Sequence, residues 1–498
     1  MKSLVIISLG TILSAELYAQ DSTFAKISEY NALYKNLSTH YDAPALKAKN
    51  VLVDFTNIKA AYSSQESDKY IIQKGSGSNN FDIDIESFQT KKNNLSLWGN
   101  FKYQNIKTKN INFNETLDYD YLYPYIMTDS VGGNLKDEHY SILGGLSKSS
   151  HKSTYGFETS FIGKQSVRSR DPRTNNISSN FNLKFSYAYQ WNDKYNAAVS
   201  LIGDRYFQKS KISFNSELGR PTVYHETGLG NYNKIFADTR DNAEYLGYNY
   251  GLTLHLVPND QLGWFFSGKY VVHNIQKKIK DVAFVINEAS KTNLEFNAGY
   301  KRALNSASQI EIGASYLQNT TTGTEGVFDN KDSQTGLQKI SSADLFNADY
   351  NTFGGYVSYH KQHNKTLWNV KLGANYTTTI ETYKLPTSEE RIDYLSLNTE
   401  LDFIQKIGKN RILANINYSY TNPSNNTFIR NGFDSNTTRY TMLTNNFDYK
   451  SAQVSLISGA AKIALPIKSQ QTFYVGVNGA YAAAYKFKQF GISSGFVF

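Results

Sequence analysis

The sequence predicts an all-β fold: one transmembrane, antiparallel, up-and-down β-barrel of about 18 strands, with about 16 as the alternative count. Two observations support this fold class. Apolar and polar residues alternate along many segments of the 498-residue chain, and short turns alternate with long loops between those segments. Aromatic residues make up 14% of the chain, which excludes a disordered polypeptide, because such chains are poor in aromatics.

The alternation is clearest in residues 181–189, where Phe181, Phe185 and Tyr189 share one face and mostly polar residues form the other. Successive side chains of a strand point to opposite faces, so each such segment has one apolar and one polar face. We predict strands at residues 50–62, 80–90, 95–109, 138–150, 153–166, 178–191, 194–208, 243–257, 262–276, 291–303, 308–320, 350–361, 366–382, 391–407, 411–421, 445–464, 470–484 and 488–498.

The connections between these strands fall into two sets. Short turns occur, for example, at residues 150–152 and 408–410. The longest loops are 63–79, 110–137, 209–242, 321–349 and 422–444. A soluble β-sandwich also alternates, but its architecture does not require tight turns and long loops in strict succession. Outer-membrane barrels have short periplasmic turns and long extracellular loops, so the pattern favours a closed barrel.

The amino terminus predicts export to the outer membrane of a Gram-negative bacterium. Residues 1–19 have the charged, apolar and small-residue order of a signal peptide, with cleavage expected after Ala19. The apolar stretch is too short for a membrane anchor. Residues 20–49 predict a short periplasmic or lumenal segment, which either folds back into the lumen or serves as a tether. The barrel is expected to occupy residues 50–498.

Composition excludes several function classes. The formal net charge is +9, but Lys and Arg are scattered singly or in pairs, which argues against a nucleic-acid partner. The absence of cysteine excludes disulfides, thiolate metal sites and cysteine nucleophiles. The eight histidines are dispersed, and we find no catalytic motif. We therefore expect no enzyme activity, no cofactor and no metal site.

Two loops contain the candidate ligand-binding or gating residues. Residues 112–140 mix carboxylates with tyrosines, which can bind a hard cation or a basic ligand and stack on sugars or aromatic rings. The alternative is a self-packed loop whose acids face solvent. In residues 214–230, His225 and Glu226 are adjacent and point apart on an extended chain. The candidate residues are Asp118, Asp120, Tyr121, Tyr123, Tyr125, Asp129, Tyr224 and His225.

The last predicted strand alternates up to its final residue. Phe496 and Phe498 lie on its apolar face, and this ending resembles the signal by which outer-membrane barrels are recognised. The resemblance implies that the barrel-assembly machinery is a partner and that outer-membrane lipids surround the barrel.

The two loops and their surroundings contain a set of short motifs. They are Asn114-Glu115-Thr116, Asp118-Tyr119, Leu122-Tyr123-Pro124-Tyr125, Asp129-Ser130-Val131-Gly132-Gly133, Leu143-Gly144-Gly145, Asp171-Pro172-Arg173, Glu217-Leu218-Gly219, Tyr224-His225, Thr227-Gly228-Leu229-Gly230 and Leu256-Val257-Pro258. With these motifs the sequence resembles a family of uncharacterised outer-membrane β-barrel proteins of Bacteroidota. The resemblance implies an outer-membrane barrel and supplies no catalytic residues.

Two functional hypotheses follow from these observations. The first is a channel, receptor or accessory protein for uptake of a small solute, with loop 112–140 as gate or binding lip. The alternative is a plugged structural barrel that docks a surface lipoprotein or a TonB-dependent transporter. We favour two further classes less. One is a barrel enzyme, and the other is a hydrophobic solute channel like the fatty-acid transporters. The segment Asp42-Ala43-Pro44-Ala45 loosely resembles the Asn-Pro-Ala motif of those transporters.

Overall fold

The computed structural model describes residues 23–50, 53–216, 220–238, 240–279, 284–329, 337–468 and 471–498. The predicted signal peptide and the motif Glu217-Leu218-Gly219 lie outside these ranges. The described α-helices are α1 (Thr23–Ser38), α2 (Pro44–Asn50), α3 (Tyr119–Leu122) and α4 (Thr438–Lys450). None of the helices in this part of the chain is long and apolar enough to cross a membrane.

Most of the described chain is β-strand. Eighteen strands form one sheet, and three short ones, β4, β9 and β10, form a second. In chain order the strands are β1 (Phe55–Glu66), β2 (Gly77–Lys91), β3 (Leu95–Ile111), β4 (Met127–Thr128), β5 (Gly133–Ser150), β6 (Ser153–Val167), β7 (Arg173–Gln190), β8 (Tyr195–Ser213), β9 (Tyr224–Gly228), β10 (Asn231–Tyr232), β11 (Asn242–Pro258), β12 (Gly263–Lys278), β13 (Val285–Asn305), β14 (Ser308–Asp329), β15 (Gln338–His363), β16 (Thr366–Lys384), β17 (Thr387–Ile407), β18 (Asn410–Arg430), β19 (Val454–Lys468), β20 (Gln471–Ala482) and β21 (Phe487–Val497).

The large sheet closes into a barrel. Its first strand β1 pairs antiparallel with β2 on one side and with the last strand β21 on the other, where Tyr62 lies opposite Ile492. The strands between them pair in up-and-down order. Closure gives each strand of the sheet a hydrogen-bonded neighbour on both sides, so no edge is left unpaired. The predicted all-β barrel of 18 strands is confirmed.

The outer face of the barrel is apolar and the inner face is largely polar. Phe181, Phe185 and Tyr189 of β7 expose 45%, 55% and 44% of their surface outward, as the alternation predicts. Residues between them, such as Ser186, point into the lumen and are buried there. Because the period of a strand is two, one register places every aromatic residue of β7 outside.

The two ends of the barrel differ in their connections. We call one end the turn end, since it carries short connections such as residues 151–152, 306–307 and 408–409. The opposite end, the loop end, carries residues 112–132, 214–241 and 431–453. Some predicted boundaries were wrong. Residues 321–349 are mostly not a loop, because β14 and β15 remain paired to Asp329 and Gln338 beyond the apolar alternation that marked them.

Two further boundary errors arise where a helix stands in place of a predicted strand. The predicted strand 445–464 begins only at Val454, because α4 continues to Lys450. The predicted strand 50–62 begins at Phe55, because α2 occupies the chain up to Asn50. In α4, Phe447 packs on Phe428 of β18 and Tyr449 packs on Tyr485, contacts that strand alternation does not describe.

Residues 23–50 lie against the inner wall at the turn end. Tyr41, Ala43 and Leu46 are buried against inward-facing residues, among them Ala188 of β7 and Phe265 of β12. The Tyr41 hydroxyl donates to the carbonyl oxygen of Pro258 at 2.6 Å. We call residues 23–50 the turn plug.

Candidate functional site

Residues 112–132 fold into the lumen at the loop end. Leu122, Ile126 and Met127 expose at most 1% of their surface and form one apolar cluster with inward-facing residues of the wall. These wall residues include Tyr206 of β8 and Tyr245 of β11. Full burial of a side chain of this size contributes about 1.5–3 kcal/mol. The loop therefore has an apolar core of its own inside the barrel.

Two further segments join this loop in one body. Strand β4 pairs with β9, with Met127 opposite His225, and β9 pairs with β10. The Arg439 guanidinium of α4 donates to the Glu226 carboxylate at 2.5 Å and lies 4.4 Å from the centre of the Tyr224 ring. Burial raises the pKa of Glu226, although Arg439 opposes this. We call residues 112–132, 220–238 and 438–450 together the loop plug.

Hydrogen bonds from the barrel wall hold the loop plug in place. Asp118 accepts from the Lys164 ammonium at 2.5 Å and from the Tyr206 hydroxyl at 2.8 Å. The Lys277 ammonium, fully buried at the end of β12, donates to the carbonyl oxygen of Ile126 at 2.8 Å. Charge-assisted hydrogen bonds of this kind are about twice as strong as neutral ones, so they fix the loop in one position.

A buried ionic cluster connects the loop to the wall. The Arg168 guanidinium lies 2.6 Å from the Glu115 carboxylate and 3.6 Å from that of Asp129, and all three side chains are at most 2% exposed. Asp129 also accepts from the backbone amides of Val131 and Gly132 at 2.7 and 2.8 Å. Burial and the nearby Asp129 raise the pKa of Glu115 well above its ordinary value.

The structure places all eight candidate residues in the loop plug, but in two different environments. Asp120 and Tyr121 line a lumenal cavity. The Tyr121 hydroxyl donates to Asn249 at 3.1 Å, and Asp120 accepts from Lys74 at 2.8 Å. The remaining candidates lie within the plug or at its contacts with the wall: Asp118, Tyr123, Tyr125, Asp129, Tyr224 and His225.

His225 and Glu226 point apart, as expected for adjacent strand residues. The His225 ring contacts the Arg240 carbonyl at 2.9 Å, whereas Glu226 binds Arg439. Burial, together with the Lys277 charge, lowers the pKa of His225 well below its ordinary value, so this ring is neutral at pH 7. Among the residues that the structure describes, no three His, Cys, Asp or Glu side chains are grouped so that they could hold a metal ion.

Phe496 and Phe498 lie far from this site in sequence and face outward at the end of the barrel wall, exposing 42% and 41% of their surface. Their role as an assembly signal stays a prediction.

The turn plug supplies site residues that the sequence analysis missed. The Ala45 amide donates to the Ser186 hydroxyl at 2.6 Å, and Lys47 pairs with Glu158 at 3.3 Å. Gly156 of β6 makes this approach possible, because a Cβ there would lie 2.2 Å from the Ala45 nitrogen. The sequence predicted only that residues 20–49 either fold back into the lumen or serve as a tether, and no sequence signal identified their partners on strands more than a hundred residues away.

Three cavities lie between the two plugs, with volumes of about 630, 600 and 580 Å³. The first touches Lys35 of the turn plug, and the second touches Tyr121 of the loop plug. The third shares Asn297 with the first and Lys269 with the second. We call the three cavities together the lumenal chamber, and its described lining contains many amide, hydroxyl and charged groups beside apolar ones.

The fold and this site define a class of protein: an 18-stranded β-barrel whose lumen is filled at both ends by segments of its own chain. Residues 44–498 match the model of a family described as a family of unknown function, DUF6850, and the chain belongs to that family. The predicted membership of an uncharacterised family is thus confirmed. No functionally curated protein matches the sequence.

Solved structures with similar folds include outer-membrane import receptors. The ferric-catecholate import receptor Fiu from E. coli K12 is 9% identical, with a TM-score of 0.41 over 89% of this chain and 81% of that one. The siderophore receptor PiuA from Acinetobacter baumannii is 7% identical, with a TM-score of 0.42 over 90% and 82%. The ferric citrate transporter FecA is 10% identical, with a TM-score of 0.40 over 89% and 79%.

Proposed function

We propose that this chain is an integral outer-membrane barrel of a Gram-negative bacterium that takes up or captures a small polar solute and is gated by its own plugs. The apolar outer face and the closure of the sheet support membrane insertion, because lipid solvates neither an open sheet edge nor a polar outer wall. The barrel strands have 11 to 26 residues, and about 9–11 suffice to span a bilayer.

The observation that supports gated uptake is the polar chamber between the plugs. Its three cavities hold about 630, 600 and 580 Å³, within the range of about 300–1,000 Å³ usual for ligand sites. A solute that crosses the barrel must pass both the loop plug and the turn plug. The long loops belong outside the cell and the short turns in the periplasm, as in other outer-membrane barrels. The loop plug is then the outer gate.

The second candidate is a plugged structural barrel that docks a partner, such as a surface lipoprotein or a TonB-dependent transporter. The apolar core of the loop plug favours it, because that core binds the loop firmly to the wall. A hydrophobic solute channel is less favoured, since lysines, carboxylates and amides line the chamber. We expect no catalytic role for this site, and the barrel-assembly machinery and outer-membrane lipids remain its proposed partners.

Single-channel conductance in a planar bilayer tests the gate, with four variants. These are the intact barrel, one without residues 113–131, one without residues 23–50, and one lacking both. A short Gly-Ser turn can replace residues 113–131, because Ile111 and Gly133 are paired across β3 and β5. Circular dichroism and heat-modifiable gel mobility confirm in each variant that the barrel has folded.

We expect steady, large conductance only in the double deletion, because each single deletion leaves one end of the lumen filled, whereas the double deletion removes the turn plug and the segment of the loop plug that carries Leu122, Ile126 and Met127. Steady conductance of the intact barrel would contradict a plugged lumen. A folded double deletion that stays silent would instead support the structural, partner-docking barrel.

A further inference from the structure

The lumenal chamber is one continuous lining in which two residues each belong to two cavities. Lys269 lies between the second and third cavities, and Asn297 lies between the first and third. The outer end of the chamber meets Tyr121 and the inner end meets Tyr41. A ligand that spans the second and third cavities contacts the wall and both plugs, so its chemistry must match the lining of both cavities.

The lining carries balanced charge. Among the described residues that line the three cavities there are six lysines: Lys35, Lys47, Lys184, Lys269, Lys291 and Lys371. The same part of the chain contributes six carboxylates: Asp42, Asp120, Glu158, Asp204, Glu295 and Glu400. An equal number of both signs leaves the chamber lining without a net charge that favours an anion or a cation.

Most of these lysines are already engaged by protein groups. Lys35 pairs with Glu400, Lys47 with Glu158 at 3.3 Å, and Lys184 with Asp42 at 2.9 Å. Lys291 donates to the Tyr121 carbonyl oxygen at 2.8 Å, and the Lys371 ammonium lies 4.1 Å from the centre of the Tyr356 ring. These contacts neutralise the charges inside the wall, so little of the lining is available to form an ion pair with a ligand.

Lys269 differs from the others. Its side chain is exposed to the lumen, and its ammonium makes no ion pair or hydrogen bond with another described residue. Its cross-strand neighbour Glu295 accepts from Asn297 at 3.0 Å. The junction of the second and third cavities thus offers an ammonium donor beside a carboxylate acceptor.

Amides make up much of the remaining lining. Eight asparagines line the first two cavities: Asn182, Asn249, Asn293, Asn297, Asn319, Asn375, Asn398 and Asn417. Of these, Asn375 and Asn398 have side-chain amides that make no hydrogen bond to another described residue. An amide both donates and accepts, as does a hydroxyl group. A neutral ligand with many hydroxyls satisfies such a lining, whereas a hydrocarbon leaves its polar groups unpaired.

We propose that the chamber binds a neutral, polyhydroxylated solute of the size of a small oligosaccharide, with Lys269 as a hydrogen-bond donor to it. This inference rests on the proposed function and specifies the class of solute that the gated barrel takes up. The partly exposed Tyr121 ring at the outer end of the chamber offers an apolar face against which the C–H face of a sugar ring packs.

Equilibrium dialysis of the refolded full chain tests this proposal. The probes are radiolabelled maltotriose, citrate and spermidine, in a detergent without a sugar headgroup and with long incubation, so that slow gate opening does not limit binding. The variants are Lys269→Met and, as matched control, Lys102→Met, which replaces a β3 lysine that is not among the lining residues of the three cavities. Circular dichroism checks that each is folded.

We expect the full chain to retain maltotriose and not citrate or spermidine. Loss of one charged donor is expected to weaken maltotriose binding about tenfold in Lys269→Met, and Lys102→Met is expected to bind as the parent does. Retention of citrate or spermidine without maltotriose, or retention of no probe, overturns the saccharide assignment. So does equal binding by both lysine variants.

The conductance experiment and the dialysis experiment test different claims, so one claim can be wrong while the other holds. A double deletion that conducts, in a chain that does not retain maltotriose, overturns the saccharide site and leaves the gated barrel intact. Maltotriose retention by a chain whose folded double deletion stays silent supports the binding site and overturns gated uptake.

Discussion

Replacing Arg168 by Met should release the loop plug from the barrel wall. The Arg168 guanidinium is the cation that lies between the buried carboxylates of Glu115 and Asp129, at 2.6 and 3.6 Å. In the Arg168→Met variant, Glu115 and Asp129 remain buried without this cation as long as the loop stays in the lumen. When the loop leaves the lumen, water solvates both acids, so the substitution penalises the closed state more than the open one.

Removing one partner of a buried ion pair costs about 3–5 kcal/mol. The lower end applies here, since Asp129 keeps two backbone amide donors and Glu115 binds its proton more tightly than usual. A cost of about 3 kcal/mol raises the open population about 100-fold. The matched control is Arg173→Met. Arg173 pairs with Asp171, but its side chain is 42% exposed, and exposed ion pairs contribute only about 0–1 kcal/mol to stability.

Cysteine labelling measures the open population. The chain has no cysteine, so Met127→Cys provides a single thiol at a position that is fully buried in the closed loop plug. In this background, maleimide labelling should be about 100-fold faster with Arg168→Met and nearly unchanged with Arg173→Met. Equal labelling rates in the two variants would refute the reasoning, because the ionic cluster would then not hold the loop.

Three further outcomes are expected. Gly156→Leu should expose the turn plug to protease, because the added Cβ would lie 2.2 Å from the Ala45 nitrogen. The control Gly203→Leu should not, because no atom lies within 4 Å of its added Cβ. Equal protection of the two variants would show that this close approach is not needed. Glu158→Gln should weaken turn-plug docking about 30-fold in the same protease assay. The substitution removes charge-assisted contacts of Glu158 with a lysine and a tryptophan, which contribute about 2 kcal/mol. Gate opening should increase as the pH rises above the ordinary range of a glutamate carboxyl, because Glu115 has a raised pKa when the plug is closed. Protons therefore favour the closed state and are lost as the pH rises. Channel recordings in which Glu115→Gln keeps the full pH dependence would assign it to other groups.

The strand pattern is the part of this protein that local sequence determines. Each of the 18 predicted strands overlaps an observed one, because the alternation of outward apolar and inward polar residues is a property of consecutive residues. One error occurs where an apolar residue serves another purpose. Residues 445–450 belong to α4, whose Phe447 packs on Phe428 of β18 instead of lying on a strand of its own.

The candidate loop was also identifiable from composition, because acids and tyrosines concentrate in residues 112–140. Composition alone left open whether its acids face solvent or the protein. The structure gives both outcomes in one loop. Asp129 is fully buried beside Arg168, whereas the side chain of Asp120 is 75% exposed and pairs with Lys74.

The sequence by itself therefore determined the strands, their faces and the closed sheet, since these depend on neighbours along the chain and on the need of every strand to be paired. Only the tertiary structure decided how the lumen is filled. Arg168 and Glu115 meet across 53 positions, and Lys47 and Glu158 across 111. Such contacts exist because barrel closure brings distant strands around one interior, and no pattern of adjacent residues encodes which of them will face each other there.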